Sequence, residues 1–104
     1  MKTAQNMVET SIRENFRKVF ISDTGFKNLF QEAEDALNLG GGVEITARGR
    51  MNTIAIDLAL MLEGRGLGRI TDTRLYTDTN PKDNRKVSRI CILLLKPKHT
   101  IKTA

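Results

Sequence analysis

The spacing of apolar residues along this chain switches between a period of two, which suits a half-buried strand, and one near 3.6, which suits a helix with one buried face. In RKVFIS, residues 17–22, Val19 and Ile21 share one face and follow a charged start, predicting a strand that feeds the helix-capping cluster Ser22-Asp23-Thr24. Phe26, Leu29, Phe30, Ala33 and Leu37 then fall at helical spacing, with Lys27, Gln31, Glu34, Asp35 and Asn38 elsewhere, until Gly40-Gly41-Gly42 stops the helix. Val43, Ile45 and Ala47 alternate with Glu44, Thr46 and Arg48 as a second strand.

A second helix is predicted from Met51 to Glu63. Ala55, Leu58, Ala59 and Leu62 lie on one side, Ile56 and Leu60 on another, and Thr53 and Asp57 leave only a thin polar stripe. Such a helix needs cover on two sides; a sheet supplies one, and a second subunit is the natural candidate for the other. Gly64, Gly66 and Gly68 end it. The threonine-rich stretch 69–79, RITDTRLYTDT, alternates as an exposed strand, residues 80–84 connect, and Val87 to Lys96 returns as a strand whose apolar run at 90–95 asks for a central place in the sheet. The order is β-α-β-α-β-β, an α/β two-layer sandwich with a long C-terminal β-hairpin. Val8, Ile12 and Phe16 recur every four residues in an otherwise polar segment, so residues 1–16 are expected as a short helix or a poorly ordered extension. Residues 17–98 form the domain and 99–104 a fraying tail; a chain of 104 residues holds one core rather than two.

Composition narrows the chemistry. Seventeen lysines and arginines against twelve acids give a net charge of +5, which favours polyanionic partners. Cys91 and His99 are the only residues of their kinds, so a single chain can build neither a disulfide nor a Cys/His zinc cage. Cys91, within ICILLL, is expected as a buried small hydrophobe, and its solitary thiol suits a reducing compartment. The N-terminus lacks the apolar stretch of a signal peptide, and no run approaches the ~20 apolar residues of a membrane span, so an intracellular protein without membrane contact is expected.

No catalytic set emerges. Asp57 is a lone carboxylate on an apolar helix, and Ser11, Ser22 and Ser88 have no candidate base. A nuclease or lyase resting on a lysine finds no supporting spacing. The clusters GGG and GRGLG run from helix to strand, the wrong direction for a phosphate loop.

The segment TARGR, residues 46–50, runs the right way, from a strand into a helix N-terminus. Gly49 lets backbone approach a ligand, free N–H groups of the first helical turn point outward, and Arg48 and Arg50 add planar donors for a phosphate. The alternative is that both arginines lie in solvent or pair with Glu44 and Asp57. Lys82, Arg85, Lys86 and Arg89 form a second basic group along the final hairpin, suited either to following a phosphate backbone or to guarding a sheet edge. The acidic first helix, with Glu32, Glu34 and Asp35, segregates charge in a way that solubility alone does not require. With Phe16, Phe20, Phe26, Phe30 and Tyr76 as the whole aromatic set, a base-stacking platform is poorly supported, and contacts to phosphate and sugar should dominate.

Together VFISDTGFKNLFQEAEDALNLGGGVEITARGRMNTIAIDLALML and RKVSRICILLLK resemble the Alba family of chromatin and RNA-binding proteins, over about residues 17–98. ARGR leading into a helix with Ala55 and Asp57, Asn28 in the first helix, and the R-K-V-S-x-I pattern carry the likeness. The resemblance implies a homodimer, or a heterodimer with a related chain, that binds double-stranded DNA and often RNA with little sequence specificity and without a cofactor or enzymatic activity. It implies backbone contacts from Arg48 and Arg50 at the centre of the dimer and from Lys82, Arg85 and Lys86 on hairpin arms; Gly49, Asn52 and Arg89 complete the candidate nucleic-acid-binding set together with Lys27. It places such a protein on the chromosome in an archaeon, or in the nucleus or cytoplasm of a eukaryote. Many archaeal members carry a lysine pair before the first helix whose acetylation weakens binding; here Asp23 and Thr24 stand there, Asp23 is expected to cap the helix, and Lys27, one turn onward, stands in for part of the lost charge. The helix IAIDLALML is also similar to the branch that forms protein subunits of eukaryotic ribonuclease P and MRP, which makes an RNA-binding ribonucleoprotein subunit the alternative reading.

Overall fold

A computed structural model describes residues 16–79 and 81–97. The expected N-terminal helix or extension up to residue 15 and the tail from residue 98 lie outside the described residues. Strand β1 (Arg17–Phe20) is followed by helix α1 (Phe26–Gly40), strand β2 (Gly42–Arg48), a short 3-10 turn (Gly49–Met51), helix α2 (Asn52–Gly64), and the hairpin strands β3 (Arg69–Thr79) and β4 (Lys86–Leu95). The predicted β-α-β-α-β-β order is borne out.

The strands form one sheet in the order β1-β2-β4-β3. β1 and β2 are parallel, a pairing that needs a long crossover, which α1 supplies; the other pairs are antiparallel. β4 therefore lies between β2 and β3, which is why its run from Ile90 to Leu94 is buried without interruption. Both helices pack on one face of the sheet. Val19, Ile21, Val43, Ile45, Ala47, Ile90, Ile92 and Leu94 project from that face against Leu29, Ala33, Ala36 and Leu37 of α1 and Ala55, Leu58, Ala59 and Leu62 of α2. The alanines bring the helices close to the sheet, while each fully enclosed leucine, isoleucine or valine contributes about 1.5–3 kcal/mol relative to exposure.

Local chemistry moves some boundaries. Asp23 does not cap α1: the residue before the helix is Gly25, with φ 104° and no side-chain cap hydrogen bond. A glycine takes this conformation without a Cβ penalty, so the chain turns one residue later than the capping cluster predicts. Asn28 instead braces the loop, its Nδ2 donating to the Thr24 carbonyl at 3.0 Å. The helix closes as expected, with the Gly41 amide donating to the Leu37 carbonyl. β1 stops at Phe20 rather than Ser22, although the Ile21 amide still donates to the Thr46 carbonyl at 2.9 Å.

The second apolar side of α2 finds no partner within the described residues. Ile56, Leu60 and Met61 are exposed there, Leu60 by 54%. The two-sided helix thus uses one side on the sheet and leaves the other bare.

Candidate nucleic-acid interface

Because β1 and β2 are parallel and each leads into a helix, α1 and α2 begin at the same end of the sheet. β4 runs antiparallel to β2 and starts at that end too. β2 finishes where Arg48 meets Arg89, whereas the β3–β4 pairing continues through Thr77–Ser88, Asp78–Val87 and Thr79–Lys86. At ~3.3 Å per residue, the hairpin overhangs its neighbour by about 10 Å.

This end gathers both helix starts and several basic side chains. No side chain caps either α1 or the turn that opens α2, so first-turn N–H groups and the positive helix poles face outward. Lys27 is exposed in the first turn of α1, and Arg50 is exposed on the short turn before α2. Gly49, at φ 61°, adopts a left-handed conformation that carries the chain from strand into turn. On the overhang, Lys82, Arg85 and Lys86 are exposed, and Asn84 at φ 58° forms the tight bend. Arg85 is tied locally, its amide donating to Asp83 Oδ1 at 3.1 Å and its Nε lying 3.9 Å from Asp83 Oδ2.

The structure adds partnerships that residue spacing did not announce. Arg89, expected on the return strand of the hairpin, stands directly across from Arg48. Arg48 pairs with neither Glu44 nor Asp57: its Nε lies 3.5 Å from Asp78 Oδ2, and Arg89 Nη1 lies 3.5 Å from the same oxygen. The Arg48 side chain nonetheless keeps 66% of its surface open to solvent. Asn52 turns inward, its Nδ2 donating to Ser88 Oγ at 2.8 Å while its Oδ1 is buried with no hydrogen-bond partner. It ties the start of α2 to β4 and so holds the Gly49–Arg50 turn over the sheet end.

The face of the sheet away from the helices carries residues that sequence reasoning missed. In register across it stand Phe20, Thr46, Cys91 and Arg74, with Arg48, Arg89 and Tyr76 in the next row. Phe20 and Tyr76 are exposed, so two of the five aromatics are not consumed by the core. Period-two alternation held the signal for both, since Phe20 is out of step with Val19 and Ile21, and Tyr76 shares a face with Asp72, Arg74 and Asp78. Cys91 is buried as expected and lies 3.3 Å from Thr46 Oγ1. Among the described residues, no cluster of three metal-ligating side chains exists, and no helix is long and apolar enough to cross a membrane.

No family model matches the sequence, and no curated protein matches it. Solved structures do match the fold. Alba from Thermoplasma volcanium superposes with a TM-score of 0.69 at 23% identity, covering 76% of this chain and 99% of that one. ALBA1 from Trypanosoma brucei gives a TM-score of 0.68 at 17% identity, covering 77% of this chain and 68% of that one. Strand order, helix placement and overhanging hairpin, matched over nearly the whole of the Thermoplasma protein, lead to one conclusion: this chain adopts the Alba fold.

Proposed function

We propose that this chain is a non-catalytic nucleic-acid-binding protein that holds the phosphates of double-stranded DNA and of RNA, with little sequence preference, as a dimer. The observation that carries this reading is the convergence at one sheet end of two uncapped helix starts, Lys27, Arg48 and Arg50, and a hairpin overhang bearing Lys82, Arg85 and Lys86. Donors of this kind, spread over a projecting ribbon and a flat end, suit a repeating polyanion better than one small anion.

The dimer is supported by apolar surface. Leu75, 76% exposed, projects from the helix-bearing face of β3, the same side as the bare Ile56, Leu60 and Met61 of α2. A homodimer, or a heterodimer with a related chain, covers both. The same surface is what favours the second reading, a ribonucleoprotein subunit that acquires RNA affinity only with its partner.

The test is a salt series with labelled duplex DNA and RNA. About four phosphate contacts per subunit give a slope of log affinity against log salt near −3 to −4 for B-DNA. Replacing Arg48 and Arg50 by alanine should weaken all sequences alike. Salt-insensitive affinity, or a loss confined to one sequence, argues against phosphate neutralisation. Failure of the isolated protein to bind either nucleic acid, followed by binding once a partner is added, supports the subunit reading.

A further inference from the structure

A hollow of about 280 Å³ is lined by Phe20, Thr46, Arg48 and Arg89 from the helix-free face of the sheet and by Ile21 and Ala47, whose side chains belong to the opposite face. It opens at the sheet end already described, and its walls differ in kind. One wall is an aromatic ring with 61% of its surface exposed, an arrangement that hydrophobic burial alone does not explain. Ile21 and Ala47 add apolar surface beside the ring, and the Thr46 hydroxyl is occupied by the Cys91 thiol at 3.3 Å. On the opposite rim are two guanidiniums, cross-strand partners that converge on a single carboxylate oxygen of Asp78. Two cations against one anion leave the rim positive.

We propose that this hollow is a subsite for one unpaired nucleotide of a single strand or loop, its base against the Phe20 ring and its phosphate on Arg48 and Arg89. The proposal rests on the nucleic-acid reading above and adds to it a preference for unpaired bases. Size and shape select this occupant. The hollow lies at the small end of the range for ligand pockets, ~300 Å³ and upward, so it admits one base rather than a stack. A base inside a duplex shows only its edges in the grooves and keeps its flat face on its neighbours, whereas an unpaired base offers that face to an aromatic side chain. Stacking of this sort tolerates any base, in keeping with weak sequence preference. Duplex contacts at the helix starts and hairpin do not require the Phe20 ring, so the two binding modes are separable by mutation.

The experiment measures anisotropy of a labelled twelve-nucleotide single-stranded RNA of mixed sequence, and of the same RNA annealed to its complement, with the full chain and its variants. Phe20→Ala should weaken the single strand by roughly 5- to 100-fold, the loss expected when one stacking partner is removed, and leave the duplex within about twofold. Because Phe20 is exposed, the variant should fold, which a thermal melt checks. Phe20→Trp supplies an independent readout: the chain has no tryptophan, so indole emission, excited beyond the absorption of Tyr76, comes from position 20 alone. Single-strand binding by Phe20→Trp should persist and quench that emission, as base stacking does. Equal loss on both RNAs, no loss on either, or unquenched emission from the bound tryptophan variant overturns the subsite. If Arg48 and Arg50 replacement weakens the duplex while Phe20→Ala leaves the single strand untouched, the subsite alone fails. If the unaltered chain binds neither RNA, the parent reading fails with it.

Discussion

Arg48 on β2 and Arg89 on β4 face each other directly across the sheet, and both guanidiniums reach the same Asp78 oxygen at 3.5 Å. Like charges directly opposite on neighbouring strands repel, and Asp78 offsets that repulsion. It also stands where a phosphate oxygen would bridge the pair. Asp78→Asn removes the competitor, so affinity for duplex and single-stranded nucleic acid should rise a few-fold at low salt. The salt slope should steepen by up to ~1 as one more phosphate contact forms. Both pairs are partly solvated, which limits the stability cost to about 1 kcal/mol or less. Anisotropy across a salt series and a urea melt check the two halves; weaker binding by the variant means that Asp78 orients the arginines rather than competing for them.

The hairpin overhang makes a separate prediction. Neutralising Lys82, Arg85 and Lys86 together to alanine should flatten the salt slope for B-DNA by roughly 2 to 3, about 0.9 per lost phosphate contact. Folding should be unaffected, because all three side chains are exposed. Unchanged slope in the triple variant would mean that the arm is only an edge guard.

Leu60→Asp addresses the bare side of α2. The residue points away from the core, so the monomer should fold normally while the proposed dimer is lost. Sedimentation equilibrium gives the mass directly; a dimer that survives the aspartate is held through some other surface.

Gly68→Ala tests packing. A Cβ there would lie 3.1 Å from Leu37 Cδ1 and 3.2 Å from Leu94 Cδ2, and both leucines are fully enclosed. Neither can retreat without disturbing the layer between helix and sheet, so a loss of about 1–3 kcal/mol is expected from urea unfolding.

That glycine illustrates how far the sequence could be followed. Gly64-Arg65-Gly66-Leu67-Gly68 was legible as a helix stop, because turn chemistry is local. The reason for glycine at 68 is not local: it is the approach of residues from α1 and β4, which no spacing announces. The same division holds at the site. The strand-to-helix seam at Arg48-Gly49-Arg50 could be found from residue order alone. The partnership of Arg48 with Arg89 and Asp78 depends on strand order and register, and these emerge only when β4 inserts between β2 and β3. Residue type points to Asp23 as the cap, but Gly25 is the residue that precedes α1. Phe20 follows the same division: its place beside two arginines depends on the neighbouring strands.

The way β3 and β4 outrun β2 has a mechanical consequence. Where four strands lie side by side under two helices, the sheet is stiff; past Arg48 the ribbon is two strands wide, and a pair of that width is only marginally stable by itself. Bending should therefore concentrate at the Arg89 level, with amides near Lys86 exchanging their hydrogens much faster than those from Ile90 to Leu94. A compliant finger on a firm palm suits the proposed binding of both B-form DNA and A-form RNA, whose grooves differ in width and depth, with one set of side chains.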